Sequence, residues 1–343
     1  MALYLGLLLF SFIITALAIV PFIDILYRLH FIHRADTSGL TRNPTATSQA
    51  LHTLHLWKTG TPVGGGLLMI FIISLLYVLI FPVLSKSGIY ISTNFPLKEE
   101  LNILFFTLIS FGLIGLYDDL LKIFPSSKDT LPRVSGSTKH FLKISLSLLC
   151  GLLLYQNLHI SVFNLPVLGV WQLGWWYVPV SAFIIYFFAT AFDFTDGLDG
   201  LAAGLLLVCL LAFWVISVSS LDTPLSIFIA LWLGSLLAFL YFNVFPARIW
   251  LGNSGAVSFG ATLAVISLLL GKSVMLFVVG GLFVIDLGSS VLQTVFIRLF
   301  GRRLFTIAPL HHWLQVRGWP EAKIVQRAWL LGIILSVLGL WLS

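Results

Sequence analysis

Ten long apolar runs separated by short polar segments make up most of this chain. They fall at about residues 3–23, 62–84, 101–117, 140–157, 176–192, 198–218, 224–243, 254–271, 273–297 and 325–342. A helix needs about 20 mostly apolar residues to cross the hydrocarbon core of a bilayer, so each run predicts a transmembrane helix. The pattern shows no repeat, no low-complexity stretch and no soluble domain. It predicts an all-α polytopic membrane protein of about ten transmembrane helices, a single integral membrane domain over residues 1–343.

Composition agrees with that reading. The chain is 59% hydrophobic and 9% charged, against about 25% charged residues in soluble domains. Its two cysteines, Cys150 and Cys209, both lie in apolar runs, which excludes a disulfide framework and a cysteine-based metal site. The net charge of +6 argues for topology rather than nucleic acid, because the basic residues sit in short loops. Sixteen of the 19 fall in one alternating set of loops, among them Arg28, Arg34, Arg42, Lys128, Arg133, Arg248, Arg302, Arg303 and Arg317. Only Lys86, Lys98 and Lys272 lie on the other side. By the positive-inside bias, both termini are expected outside, with the loops after odd-numbered spans in the cytoplasm. Ala16-Leu17-Ala18 resembles a signal-peptidase site, but no positive charge precedes the apolar run, so the first helix is expected to be retained.

Ionisable groups at membrane depth are costly and mark function. Gly115–Lys122 reads Gly-Leu-Tyr-Asp-Asp-Leu-Leu-Lys, placing Asp118 and Asp119 side by side at the negative end of a helix dipole. Lys122 can neutralise one carboxylate at a solvated helix end; a site that gathers Mg2+ or a proton explains the pair better. Asp193, Asp196 and Asp199 fall within seven residues between the fifth and sixth spans. Capping of a helix accounts for Asp196 or Asp199 singly, whereas three together suit phosphate, metal or nucleotide. Asn243 precedes a Pro-Ala-Arg turn, and Gly252-Asn253-Ser254-Gly255 opens the eighth span, where free N–H groups present themselves to an anion. Either Asn253 or Ser254 also serves as a simple cap.

After the ninth span, Pro309-Leu310-His311-His312-Trp313 follows two arginines and precedes Gly318-Trp319-Pro320-Glu321. Histidines beside arginines suit phosphate; an interfacial belt around Trp313 is the alternative. Zinc is not expected, since no third ligand stands nearby at metal spacing. At the start of the second span, His55–Gly66 places Lys58 and Thr61 ahead of three glycines. Asp286, inside the ninth run, either orients neighbouring groups or serves packing. Five polar motifs therefore share one predicted membrane face.

In this order and spacing, the motifs resemble those of the polyprenyl-phosphate N-acetylhexosamine-1-phosphate transferases, from about His55 to Trp329. The double-histidine loop points to the muramoyl branch rather than to branches that take UDP-GlcNAc. The resemblance implies UDP-MurNAc-pentapeptide and undecaprenyl phosphate as substrates, Mg2+ as cofactor, lipid I and UMP as products, a bacterial inner membrane location and a homodimer. It implies catalytic roles for Asp118, Asp119, Lys122, Asp193 and His311. Lys58, Thr61, Lys139, Asp196, Asp199, Asn243, Asn253 and His312 would contact substrate, with Asp193, Asp119 and Asn253 at the metal.

Three positions depart from the family pattern. The family has Asn where this chain has Asp193, Asp where it has Asn253, and usually a third histidine where Trp313 stands. The first two departures form an exchange that leaves formal charge unchanged. Asp193 and Asn253 are therefore expected to face one another, with Asp193 taking the metal. The alternatives are a UDP-GlcNAc-type transferase and a catalytically impaired relative. A transporter, with charges at mid-membrane and repeated halves, fits the pattern poorly.

Overall fold

The structure is a computed structural model that describes residues 1–33, 56–86, 91–124, 135–166 and 169–343. Arg34, Arg42, His55, Lys128 and Arg133, invoked above, lie outside the described residues. Among the described residues twelve α-helices follow one another: α1 (Ala2–Arg28), α2 (Gly65–Lys86), α3 (Leu97–Ile123), α4 (Gly136–Asn157), α5 (Tyr177–Thr195), α6 (Leu201–Ser219), α7 (Thr223–Asn243), α8 (Asn253–Leu269), α9 (Ser273–Val279), α10 (Gly281–Phe300), α11 (Leu310–Val316) and α12 (Glu321–Leu342). Among the described residues, nine helices are long and apolar enough to cross a membrane. The chain is an all-α polytopic membrane protein.

Three elements differ from the sequence pattern, one being α11, a short helix in the loop after the ninth run. The ninth run breaks at Gly280 into α9 and α10, because consecutive glycines cost about 1 kcal/mol each in a helix while leaving hydropathy unchanged. The segment after α4 folds as an antiparallel hairpin, β1 (Val162–Leu165) on β2 (Gly169–Gln172), with Val162 opposite Gln172. Four-residue strands are too short to show a period.

Position in the bundle separates helices of similar composition. Helix α8 has only 17 residues, and every one from Ser254 to Leu269 is buried. Helix α7 is buried along nearly its whole length. Around them, α1, α10 and α12 expose Leu17, Leu299 and Trp341 at 70%, 71% and 79%. Apolar side chains that open belong against lipid rather than water. Between helices, hydroxyls supply polar contacts: Ser11 Oγ donates to the Leu231 carbonyl at 2.7 Å, and Thr15 Oγ1 meets Ser235 Oγ at 3.1 Å. The C-terminal ends of α3, α5 and α7 meet the N-terminal ends of α6, α8 and α12 at one end of the bundle, and this end carries the site.

Candidate functional site

Helix α3 delivers the adjacent aspartates to the start of α8. The two helices touch closely there, for a Cβ on Gly115 would lie 2.1 Å from the Asn253 carbonyl oxygen. Only glycine permits this approach. Asp119, 3% exposed, then accepts the backbone N–H of Asn253 at 2.9 Å and that of Ser254 at 3.0 Å, one on each carboxylate oxygen. A helix N-terminus leaves N–H groups without intrahelical partners, and the residue ahead of α8 is Gly252, which has no side chain to satisfy them. Asp119 is thus the cap of α8 supplied from another helix.

Its neighbour Asp118 is bound differently. It pairs with Lys139 of α4 and with Lys122 one turn later at 3.4 Å, and it accepts Asn253 Nδ2 at 2.6 Å. Asn253 therefore sits against Asp118, whereas Asp193 at the end of α5 pairs with Lys143 of α4 at 3.1 Å. The two exchanged residues, expected to face one another, have separate side-chain partners: Asp118 for Asn253 and Lys143 for Asp193.

The loop between α5 and α6 is held by a sealed triad. Lys58 Nζ lies 3.0 Å from Asp199 Oδ1 and 2.6 Å from Glu321 Oε1, with the three side chains 1%, 2% and 7% exposed. Glu321 also accepts the Asp199 N–H at 2.7 Å, and Asp199 Oδ2 accepts the Ala247 N–H at 2.9 Å. Asn243 ties the same loop to the next one: its Oδ1 accepts the Gly200 N–H at 3.1 Å and its Nδ2 donates to the Ile249 carbonyl at 2.9 Å. Lys58, Asp199 and Asn243 therefore shape the loops around the site. Thr61, half-buried, contributes backbone: its carbonyl accepts the His33 N–H at 2.8 Å, and its N–H donates to the Lys58 carbonyl at 3.3 Å.

Asp196 stands between these groups. Burial, then the charges of Asp193, Asp119 and Asp199, push its carboxyl up to about 7, with Lys58 opposing. Beside it, His311 Nδ1 meets Asp286 Oδ2 at 2.6 Å, and the His311 N–H donates to Asp286 Oδ1 at 3.3 Å. Asp286 thereby fixes the ring, with Nδ1 as donor. Nε2 is buried, has no hydrogen-bond partner among the described residues, and abuts the α5–α6 loop, since a Cβ on Gly197 would lie 2.6 Å away. The His312 ring packs on His311 at 4.1 Å, and its Nδ1 meets Gln315 Oε1 at 3.0 Å. An apolar cavity of about 290 Å³ adjoins this pair, lined by Leu201, Leu205, Ile285, Leu314 and Trp319 among others.

The sequence pattern did not assign roles to Lys143 and Glu321 and left Asp286 open. Lys143 follows Lys139 by four residues, so both lie on one face of α4; that spacing was the available signal. Glu321 reads from sequence as an ordinary acidic first turn after Pro320.

Among the described residues, no group of three or more His, Cys, Asp or Glu is placed to hold a metal. The hard oxygens that act on one another are the carboxylates of Asp193, Asp119, Asp199 and Asp196, while Asn253 lies against Asp118. Mg2+ at phosphate sites uses one or two carboxylates together with substrate phosphate and water. The donor set fits an ion carried by a diphosphate, not a cage of protein ligands.

Comparison with known proteins gives a consistent result. The model of glycosyl transferase family 4 matches residues 101–271. The phospho-N-acetylmuramoyl-pentapeptide-transferase of Oceanobacillus iheyensis is 32% identical over 97% of this chain and 95% of its own length. Proteins of that name from Moorella thermoacetica (35% identical, 84% of this chain and 86% of the relative) and Acetivibrio thermocellus (33%, 83% and 82%) agree. With matches of this extent, the chain belongs to the phospho-N-acetylmuramoyl-pentapeptide-transferase family.

Proposed function

We propose that this protein transfers phospho-MurNAc-pentapeptide from UDP-MurNAc-pentapeptide to undecaprenyl phosphate, giving lipid I and UMP for peptidoglycan synthesis. The observation that carries the reading is the union of an ammonium–carboxylate cluster, an acidic loop and an oriented histidine at one end of an apolar bundle. A lipid phosphate and an anionic nucleotide can both reach such a place. The inner membrane of a bacterium, with this end in the cytoplasm, and a homodimeric assembly belong to the same proposal.

The lipid phosphate oxygen attacks the β-phosphorus, the bond from that phosphorus to the bridging oxygen breaks, and UMP leaves with the oxygen. Such a reaction needs positioning and charge neutralisation more than covalent help. Lys122 and Lys139, both paired with Asp118, receive the lipid phosphate. A phosphate monoester, with a second pKa near about 6, is already dianionic at neutral pH, so Asp118 orients ammonium groups rather than removing a proton. Asp119 sets the start of α8, which presents Asn253. His311 aims Nε2 at the α5–α6 loop, and His312 packs beside it, so the pair receives a phosphate oxygen. Asp196 faces the nucleoside, while Asp199, through Lys58 and Glu321, gives that loop its shape. The apolar cavity beside His311 takes the first part of the polyprenyl tail. When bound, Mg2+ would be held by Asp193 with the Asn253 amide oxygen and would neutralise diphosphate charge.

The test is UMP release by purified protein given undecaprenyl phosphate, UDP-MurNAc-pentapeptide and Mg2+, beside an Asp118→Asn control and an EDTA control. Release cut by about 10²-fold in Asp118→Asn and lost with EDTA supports the reading, and release with UDP-GlcNAc alone overturns it. Nucleotide binding without turnover marks a metal-defective or trapped form.

A further inference from the structure

The end of the bundle away from Asp118 holds a second pair of buried acids that the chemistry above does not use. Glu100 lies in the first turn of α3, is wholly buried, and among the described residues has no hydrogen-bond donor on either carboxylate oxygen. Asp222, 1% exposed, caps α7 by accepting the Leu225 N–H at 3.2 Å, and also accepts Asn94 Nδ2 at 3.3 Å. The two carboxyl groups stand within hydrogen-bonding reach of one another.

Several segments close around them. The Thr223 N–H donates to the Ser92 carbonyl at 2.9 Å, and the Ser92 N–H donates to Thr223 Oγ1 at 3.3 Å. From α2, the Tyr77 hydroxyl donates to the Pro224 carbonyl at 3.4 Å. The titratable groups facing Glu100 are Asp222, from the α6–α7 turn, and Tyr77, from α2. Among the described residues, no ion pair involves Glu100 or Asp222. Glu99, on the same turn of α3, is engaged elsewhere, accepting Asn157 Nδ2 at 2.9 Å.

Two ionised carboxylates are both acceptors and repel one another, so close contact in a buried place requires a positive charge between them. Among the described residues no side chain supplies it, and the zero exposure of Glu100 favours the smallest candidate. We propose that Glu100 and Asp222 share one bound proton, forming a latch between α3 and the α6–α7 turn that opens when the proton is lost. Glu100 in its acid form donates to the Asp222 carboxylate. Burial raises the proton affinity of Asp222, so the shared proton is retained above the ordinary carboxylate range of about 4. The sign follows. A proton bound more tightly in the folded than the unfolded protein stabilises the fold at low pH, and that stabilisation disappears as pH rises.

The latch bears on the helix that carries Asp118. Eighteen residues separate Glu100 from Asp118, about 27 Å at about 1.5 Å per residue, close to the thickness of a bilayer core. The pair therefore responds to pH on the membrane face opposite the transferase site.

The experiment follows thermal unfolding of the full chain in detergent micelles between about pH 6 and about pH 9, for the wild type, Glu100→Gln and Asp222→Asn. Glutamine keeps a donor for Asp222 and asparagine keeps the cap, so both variants preserve the local packing. The wild-type Tm is expected to fall by several degrees as pH rises, and both variants are expected to lose that fall. Infrared difference spectra of wild type minus Glu100→Gln are expected to show a protonated carboxylic C=O band that shifts in D2O. Equal pH slopes in all three proteins, or no such band, overturn the proposal. A wild-type Tm restored at high pH by Na+, K+, Ca2+ or Mg2+, but unchanged in Glu100→Gln, also overturns it by making the pair a metal site.

Discussion

Two clusters at the same end of the bundle use the same chemistry to opposite ends. Lys58, Asp199 and Glu321 are 1%, 2% and 7% exposed, while Asp118, Lys139 and Lys122 are 16%, 31% and 60% exposed. The first cluster has one ammonium for two carboxylates and is sealed among three loops. The second has two ammonium groups for one carboxylate and opens outward. A sealed cluster fixes geometry, since its members are committed to one another and to backbone N–H groups. An open cluster with surplus positive charge has capacity left for an anion. Burial and charge balance, rather than residue type, separate the part that shapes the site from the part that meets substrate.

Breaking the sealed cluster should have the largest effect. Lys58→Met leaves two buried carboxylates unpaired, and losing one partner of a buried pair costs about 3–5 kcal/mol. A lowered Tm in detergent and lost UMP release are expected. Adding Asp199→Asn and Glu321→Gln should recover much of the Tm without the activity. In the open cluster, Asp118→Asn should reduce UMP release by about 10²-fold with the Tm nearly unchanged. A Tm loss as large as that of Lys58→Met would erase the distinction.

Asp286→Asn tests the third arrangement. It unfixes the His311 tautomer, so activity should fall by about 10²-fold and the pH profile should change shape. A loss that is flat across pH would reduce Asp286 to packing. Asp196→Asn probes the charge crowding. With its folded pKa raised to about 7, Asp196 favours the folded state below about pH 4, and that contribution is lost as pH rises through 7. In protein without Mg2+, the variant should show a shallower decline of Tm over this window. Lys122→Met should do least to stability, about 1 kcal/mol or less for so exposed a pair, while raising KM for the lipid phosphate.

Much of this was legible in the chain because a membrane protein writes its spans in plain hydropathy. Each of the ten apolar runs carries helix, α11 lies outside them all, and the Gly280 break escaped because glycine interrupts a helix without interrupting hydropathy. The site was legible to the extent that a carboxylate in an apolar setting demands a reason, which marked Asp118, Asp119, Asp193, Asp196 and Asp199. Roles were harder. Asp119 and Asn243 prove to be bound mainly to backbone, as capping and loop-tying groups. The partners Lys143 and Glu321 came from packing, for Lys143 acquires its role only where α4 lies against the end of α5. Sequence shows which charges are expensive; the fold decides which of them answer one another.

Helix α8 has a further consequence for the membrane around it. At 17 residues it is about 25 Å long, less than the roughly 30 Å of a hydrocarbon core, yet it is jacketed by protein along its length. Hydrophobic mismatch acts on surfaces that touch lipid, so a thicker or thinner bilayer pulls on α1, α10 and α12 and leaves α8 unstretched. Its capped start, where Asp119 and Asn253 meet, is a fixed reference level inside a membrane of variable depth.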